Sequence, residues 1–270
     1  MIVENGTARY QVGVKVAETN SYRMYLCEEM QTGREYLLQI ATEKEHNGGL
    51  DRAAYILREL QQTAAEFEGL YAKLGNTKKL HYDRLLPVLI DGFIAQDQGQ
   101  RRVNILAFQD VDTPTKMVPL SFLADRSRLR VDLPSSAWIM GRLLKLLAFV
   151  HDEGIAVRAL EGNNILLELE QHFTVVFDWS SSQTHQSGVP KDLRKNDIAG
   201  AAKAVFKAIG GNPESGEIVT PPGDERRYTE FLWNLATRRE ASAERAHEQF
   251  YKLIRELFGR EFHEFTTLPL

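Results

Sequence analysis

The chain has 270 residues, a formal net charge of −4, 43% apolar residues and 26% charged ones. That length allows one large domain or two lobes, and that composition is ordinary for a globular chain with a real core. The mild acidity, with a pI near 6.0, excludes a broad electrostatic footprint for nucleic acid or a polybasic membrane patch.

The N-terminal forty residues read as strands. Tyr10, Val12, Val14 and Val16 alternate with other residues, Asn20-Ser21 signals a turn, and 22–28 forms a second strand. That second run holds the only cysteine, Cys27. It leaves no internal disulfide, favours a reducing compartment, and reads as a small buried hydrophobe. Gln31-Thr32-Gly33 makes another turn before a third strand over 35–41, completing an antiparallel meander. Gly48-Gly49 then breaks the chain ahead of a long helix over 51–74, with apolar residues such as Ile56, Leu57, Leu60, Ala64 and Phe67 at three- and four-residue intervals. Gly75-Asn76 stops it. Two more strands, 85–94 and 103–108, flank a polar hairpin loop over 95–102.

From Pro134 the pattern turns helical. Ser135 or Ser136 is expected to cap a helix through Trp138, Leu143, Leu144, Leu147 and Val150 to Glu153, with Gly154 as its stop. A helix over 197–209 ends at Gly210-Gly211, and a Pro/Gly-rich connection over 212–224 leads to helices over 228–237 and 241–258. The short basic runs 126–128 and 237–239 read as solvated surface. Seven histidines, His172 among them, are scattered without metal-ligand spacing, and no Cys-x-x-Cys occurs. No N-terminal apolar segment and no run long enough for a bilayer is evident, so a soluble, cytoplasmic chain without a membrane segment is expected.

The most informative stretch lies between these helices. It runs Gly154-Ile155-Ala156-Val157-Arg158-Ala159-Leu160, then Asn164-Ile165-Leu166-Leu167, then a hairpin ending Phe177-Asp178-Trp179-Ser180. This resembles the catalytic core of a protein kinase whose catalytic base has been deleted. The kinase loop His-Arg-Asp-Leu-x-x-x-Asn becomes Val157 to Asn164 with Ala159 at the Asp, and Asp-Phe-Gly becomes Asp178-Trp179-Ser180. His151 and Gly154-Ile155 resemble the approach to that loop. Asn196-Asp197-Ile198 with Gly200 resembles the start of the central C-lobe helix, where the Asp braces the loop. The resemblance implies an α+β, bilobal protein kinase-like fold. Its N-lobe (1–112) would be a five-stranded antiparallel sheet with one long helix, and its C-lobe (113–270) mainly helical with a shortened activation segment.

The departures from the kinase pattern all remove chemistry. Gln39 stands where the phosphate-pairing Lys should be, so the position carries no positive charge. Glu59, Glu66 and Glu68 on the long helix then read as ordinary surface acids. The turn Ala17-Glu18-Thr19-Asn20-Ser21 contains no glycine where a Gly-rich loop would cover phosphates. Lys15, on the first strand, is the one candidate for a migrated lysine. Ala159 can neither accept a proton nor orient a hydroxyl. Only nineteen residues separate Asp178 from Asp197, with no Ala-Pro-Glu between them. Ser180 to Ser182, Thr184 and Ser187 read as a flexible hydroxyl-rich loop. Val157 and Trp179 are expected to fill core, and Arg158 to pair with a local acid.

The resemblance leaves Asn164 and Asp178 as a residual metal pair that would act only with a nucleotide, ATP or ADP with Mg or Mn. Their structural alternative is that Asn164 ties the loop together and Asp178 caps a turn. Phe108, Gln109 and Val111 fall at the hinge and, with Leu166, would form the adenine pocket. The implied function is a catalytically inactive pseudokinase acting as a protein-binding, regulatory module. The alternatives are a nucleotide–metal-dependent transferase and a nucleotide sensor, both using Asn164 and Asp178.

Overall fold

The computed structural model describes residues 1–77, 79–125, 127–170, 173–219, 223–238, 240–259 and 263–269. Arg126, His172, Arg239 and part of the 212–224 connection lie outside the described residues. The chain divides into two compact units. The first comprises Met1–Lys116 together with Asp178–Ser181, and the second Met117–Phe177 with Ser182–Leu270.

The first unit is one antiparallel sheet and one helix. Strands β1 (Ile2–Glu4), β2 (Arg9–Glu18), β3 (Tyr22–Glu29) and β4 (Glu35–Ala41) precede helix α1 (Asn47–Lys73). Strands β5 (Pro87–Ala95) and β6 (Arg101–Phe108) follow, and the spatial order is β1-β2-β3-β4-β6-β5. The five expected strands are present, and β1 adds a sixth at the edge, Val3 pairing with Tyr10. Three residues are too few to show alternation in the sequence. One sheet face buries Tyr10, Val12, Cys27, Leu38, Ile40 and Ile105. Tyr10 stacks on Phe93 with centroids 6.3 Å apart. Burial pushes the Cys27 thiol up to about 12, so it is packing material rather than a nucleophile. The other face carries Leu37, Gln39, Ala41, Asn104 and Leu106 by register. It lies under α1, whose buried residues include Leu50, Ala53, Ile56, Leu57 and Leu60.

Two register shifts in β2, between Val12 and Lys15 and between Lys15 and Ala17, overturn the simple alternation expected there. Each bulge switches the outward face, which leaves Val14 and Val16 exposed. The start of α1 also differs from expectation, because Gly48-Gly49 sits inside its first turn instead of before it. Asn47 anchors that end, its amide donating to the Gln100 carbonyl (2.9 Å) and its side-chain oxygen accepting from Arg102 N (2.7 Å).

The second unit is mainly helical. In chain order it contains β7 (Met117–Pro119), α2 (Leu120–Asp125), β8 (Leu129–Val131), α3 (Leu133–Asp152), β9 (Ile155–Ala156), β10 (Ile165–Glu168) and β11 (Phe173–Val176). After these come β12 (Gln183–Thr184), α4 (Lys191–Ala208), α5 (Arg226–Ala236), α6 (Ala243–Phe258) and β13 (Thr267–Pro269). The strands form a β11-β10-β7 sheet and two small pairs, β12-β9 and β13-β8. Helix α3 packs against α4 and α6, and α4 against α5. By length and composition α3 could cross a membrane, which amends the expectation that no run could. Its apolar residues, among them Met140, Leu143, Leu144, Leu147 and Val150, are instead buried in this unit.

The cap of α3 is Asp132, which accepts from Ser135 N at 2.7 Å, rather than Ser135 or Ser136. Ser136 meets the Tyr228 hydroxyl at 2.8 Å inside the core. Helix α4 begins at Lys191, ahead of the expected Asp197. The intervening Lys191, Asp192, Lys195 and Asn196 carry no apolar periodicity, so tertiary context sets that start.

Candidate functional site

In the second unit the loop after β9 is suspended from one carboxylate. Asp197, buried on α4, accepts the N–H of Val157 at Oδ2 (2.8 Å) and of Arg158 at Oδ1 (2.7 Å). His151 Nε2 lies 3.0 Å from Oδ2 and supplies a third contact. The carboxylate holds Arg158 in the left-handed region at φ 68°, where a non-glycine residue is uncommon. Gly200 brings α4 against the same loop, since a Cβ there would lie 2.7 Å from the Leu160 carbonyl oxygen. Upstream, Gly154 at φ 72° packs against the His185 carbonyl, and His185 N donates to the Gly154 oxygen at 2.7 Å. Val157 is buried, as expected. Arg158 is exposed, and it is its backbone N–H rather than its guanidinium that engages an acid.

Ala159 stands in this intact loop with a methyl group where the resemblance places a proton acceptor. Its carbonyl oxygen accepts from Asn164 Nδ2 at 2.7 Å, and the Asn164 carbonyl accepts from Phe177 N at 3.1 Å. Asn164 therefore ties the loop to the strand pair β10–β11. The segment after Ser181 is more ordered than a hydroxyl-rich loop. Ser182 is buried and donates to the Val157 carbonyl (3.2 Å), and Thr184 pairs with Ile155 in β12-β9.

In the first unit, Gln39 is buried on β4, opposite Met24 on β3 and Asn104 on β6. No acid occupies the buried stripe of α1, whose inward positions are leucine, isoleucine and alanine. Glu59 is exposed, and Glu68 accepts from the His81 N–H. Lys15 is also exposed and pairs with Glu18, which rules it out as a buried stand-in for the missing lysine. Hydrogen bonds from Arg23 (2.6 Å) and Lys15 hold the Glu18 carboxyl down at about 2.

Tyr22, the first residue of β3, is the site residue that sequence reasoning missed. It is buried beside Ala41 and Leu50. Burial first, then the charge and hydrogen bond of Asp178, push its phenol far above the ordinary range. A hydrogen bond with the Gln39 side chain acts in the opposite direction. Alternation along β3 and its register with β4 place Tyr22 and Gln39 on one face, which is a recoverable signal once the pairing is known. Nothing in the sequence links Tyr22 to Asp178.

Asp178 Oδ1 also accepts from Ser180 N at 2.9 Å, a local turn of the kind read above as its structural alternative. Arg52 of α1 donates to the Ser180 carbonyl at 3.2 Å and fastens this segment to the first unit. The structure places Gln39, Tyr22 and Asp178 in the first unit, and it brings Ala159 and Asn164 together in the second. Phe108, Gln109 and Val111 form a tight turn in the first unit, with Phe108 and Val111 bridged and Asp110 left-handed at φ 58°. Leu166 lies in the second unit, on β10 opposite Pro119 and Val175. Among the described residues no group of three His, Cys, Asp or Glu side chains forms a metal cluster.

No protein-family model matches the chain, and no curated protein matches it. Solved structures do. The chain is similar to the BubR1 kinase domain, with a TM-score of 0.64 and 13% identity over 95% of this chain and 83% of that one. It is similar to vaccinia related kinase 3, with a TM-score of 0.65 and 12% identity over 95% and 90% of the two chains. The Mycobacterium tuberculosis PknI kinase domain gives a TM-score of 0.55 and 14% identity over 90% and 95%. Identities this low speak to fold alone, and the fold is protein kinase-like.

Proposed function

We propose that this kinase-like chain transfers no phosphate and works as a cytoplasmic, protein-binding regulatory module with weak or no nucleotide affinity. The observation that carries the reading is Ala159. The loop around it is braced by Asp197 and Asn164, yet the position has no group to accept a proton. Phosphoryl transfer relies on positioning and charge, so a missing base and a missing lysine remove its two main contributions. Gln39, buried and uncharged on a sheet face under a helix whose inward positions carry no acid, supports the same reading. Tyr55 and Leu70 on α1 and Leu74 just beyond its end are exposed apolar side chains, which the reading assigns to a protein partner.

Thermal unfolding with ATP, ADP and GTP, each with and without Mg or Mn, tests the nucleotide side of this reading. A ligand that binds only the native state at a hundred times its dissociation constant adds about 2.7 kcal/mol of stability. The expected result is no metal-dependent shift for the native chain. A shift that disappears in Asp178→Ala and Asn164→Ala would replace this reading with the sensor or transferase alternative.

A further inference from the structure

Two Asn-Gly dipeptides, Asn5-Gly6 and Asn47-Gly48, occur in the chain. The amide nitrogen that follows an asparagine can attack the side-chain Cγ and expel its amide, and a glycine there has no Cβ to hinder the approach. The fold places the two dipeptides in opposite settings. Asn47 opens α1 with helical backbone angles, φ −54° and ψ −39°, which hold the Gly48 nitrogen away from the ring-closing position. Its side-chain amide is also bonded at both atoms, to Gln100 and Arg102. Asn5 follows the edge strand β1, and both it and Gly6 are exposed. Gly6 stands at φ 89°, with nothing within 4 Å of where a Cβ would be. Three donors converge on Asn5 Oδ1, namely Thr7 N (2.9 Å), Thr7 Oγ1 (2.9 Å) and Ala8 N (2.8 Å). Asn5 Nδ2 donates to Asp91 Oδ2 on β5, which also accepts from the Tyr10 hydroxyl (3.3 Å). Strands β1 and β5 are the two edges of the sheet, so the Asn5 amide clasps one edge to the other.

We propose that Asn5 is a self-deamidation site whose conversion unlatches β1 from the rest of the sheet. The Gly6 nitrogen gives its proton to solvent base and bonds to Asn5 Cγ. The negative charge that collects on Oδ1 is met by the three donors already aimed at it. The Cγ–Nδ2 bond then breaks, and Nδ2 takes up a proton and leaves as ammonia. Water opens the resulting cyclic imide at either carbonyl, which leaves aspartate or isoaspartate at position 5. One water is consumed, one ammonia is released, and nothing is oxidised or reduced. The product sets a second carboxylate against Asp91 where a donor stood, so attraction between the sheet edges becomes like-charge repulsion. Isoaspartate also adds a carbon to the main chain in the turn between β1 and β2. That works against the register that sets Val3, a buried member of the core cluster, opposite Tyr10.

The test follows the full-length folded chain over time by peptide mass mapping, at neutral and at mildly alkaline pH. Asn5 is expected to convert at least about tenfold faster than Asn47, and faster at the higher pH, because the attacking nitrogen must shed its proton. In urea, where the fold no longer separates them, the two dipeptides should convert alike. Equal rates at Asn5 and Asn47 in the folded chain, or the same difference persisting in urea, overturns the inference. The consequence is read on Asn5→Asp, a homogeneous form of one product, with circular dichroism confirming that it is folded. Amide exchange at Val12, whose N–H donates to the Met1 carbonyl at 2.8 Å, should accelerate at least about tenfold. Adding Asp91→Asn returns a donor–acceptor pair with the roles exchanged and should recover most of that protection. Unchanged exchange at Val12 in folded Asn5→Asp overturns the unlatching.

Discussion

Asp197→Ala is expected to lower the stability of the second unit by roughly 4 kcal/mol, because it strands three donors at once and each unpaired buried donor costs about 1–3 kcal/mol. Those donors are the N–H groups of Val157 and Arg158 and the Nε2 of His151, all within 3.0 Å of the carboxylate. Arg158 would also lose the contact that holds it at φ 68°. For a unit of this size the midpoint of thermal unfolding should fall by about 10 °C. Amide exchange of Val157 and Arg158 should accelerate with it. Asp197→Asn keeps one acceptor oxygen and should lose about half as much. A drop of less than about 1 kcal/mol, within the range of ordinary surface substitutions, would mean that the carboxylate does not brace the loop.

The second large effect belongs to Gly154→Ala. At φ 72° any side chain is strained, and a Cβ would stand 2.5 Å from the His185 carbonyl oxygen, a main-chain atom. That oxygen cannot retreat without opening the β9–β12 pair and the 2.7 Å bond from His185 N to Gly154. Strain and overlap together should cost about 3 kcal/mol. Gly188→Ala is the matched control. Its φ of 83° carries the same backbone penalty, but a Cβ there would meet nothing within 4 Å, so it should cost only about 1–2 kcal/mol. Equal losses in urea unfolding would show that backbone conformation, not the approach of His185, makes Gly154 necessary.

Much of the fold was legible because its signals are local. Strands β3 and β4, with the turns around Asn20-Ser21 and Gly33, follow from alternation and turn chemistry, and α3 and α6 follow from apolar periodicity. The parts that were not legible depend on partners distant in sequence. Helix α1 runs through Gly48-Gly49 because Asn47 is anchored to the start of β6. The outward turn of Val14 and Val16 comes from bulges that only strand pairing defines. Asp132 displaced two plausible serine caps, and Ser136 went to Tyr228 instead.

The candidate site divides in the same way. Ala159 and Asn164 lie in one short motif-bearing stretch, so their spacing alone places them in one loop, and the pattern around Asp197 marks a helix start that braces it. Tyr22 could not be placed so. Its role depends on a strand register that sets it beside Gln39 and on a segment 156 residues away along the chain, at Asp178. A tyrosine opening a strand looks like any other core aromatic until both neighbours are known.

Phosphoryl transfer itself is the most direct test of a kinase-like loop whose base is Ala159. The native chain and Asp178→Ala, at high protein concentration with labelled ATP and Mg or Mn, should release and transfer phosphate at the same rate as buffer alone. Metal-dependent transfer to the chain itself or to an added protein, abolished in Asp178→Ala, would contradict it and establish an enzyme that works without the loop carboxylate.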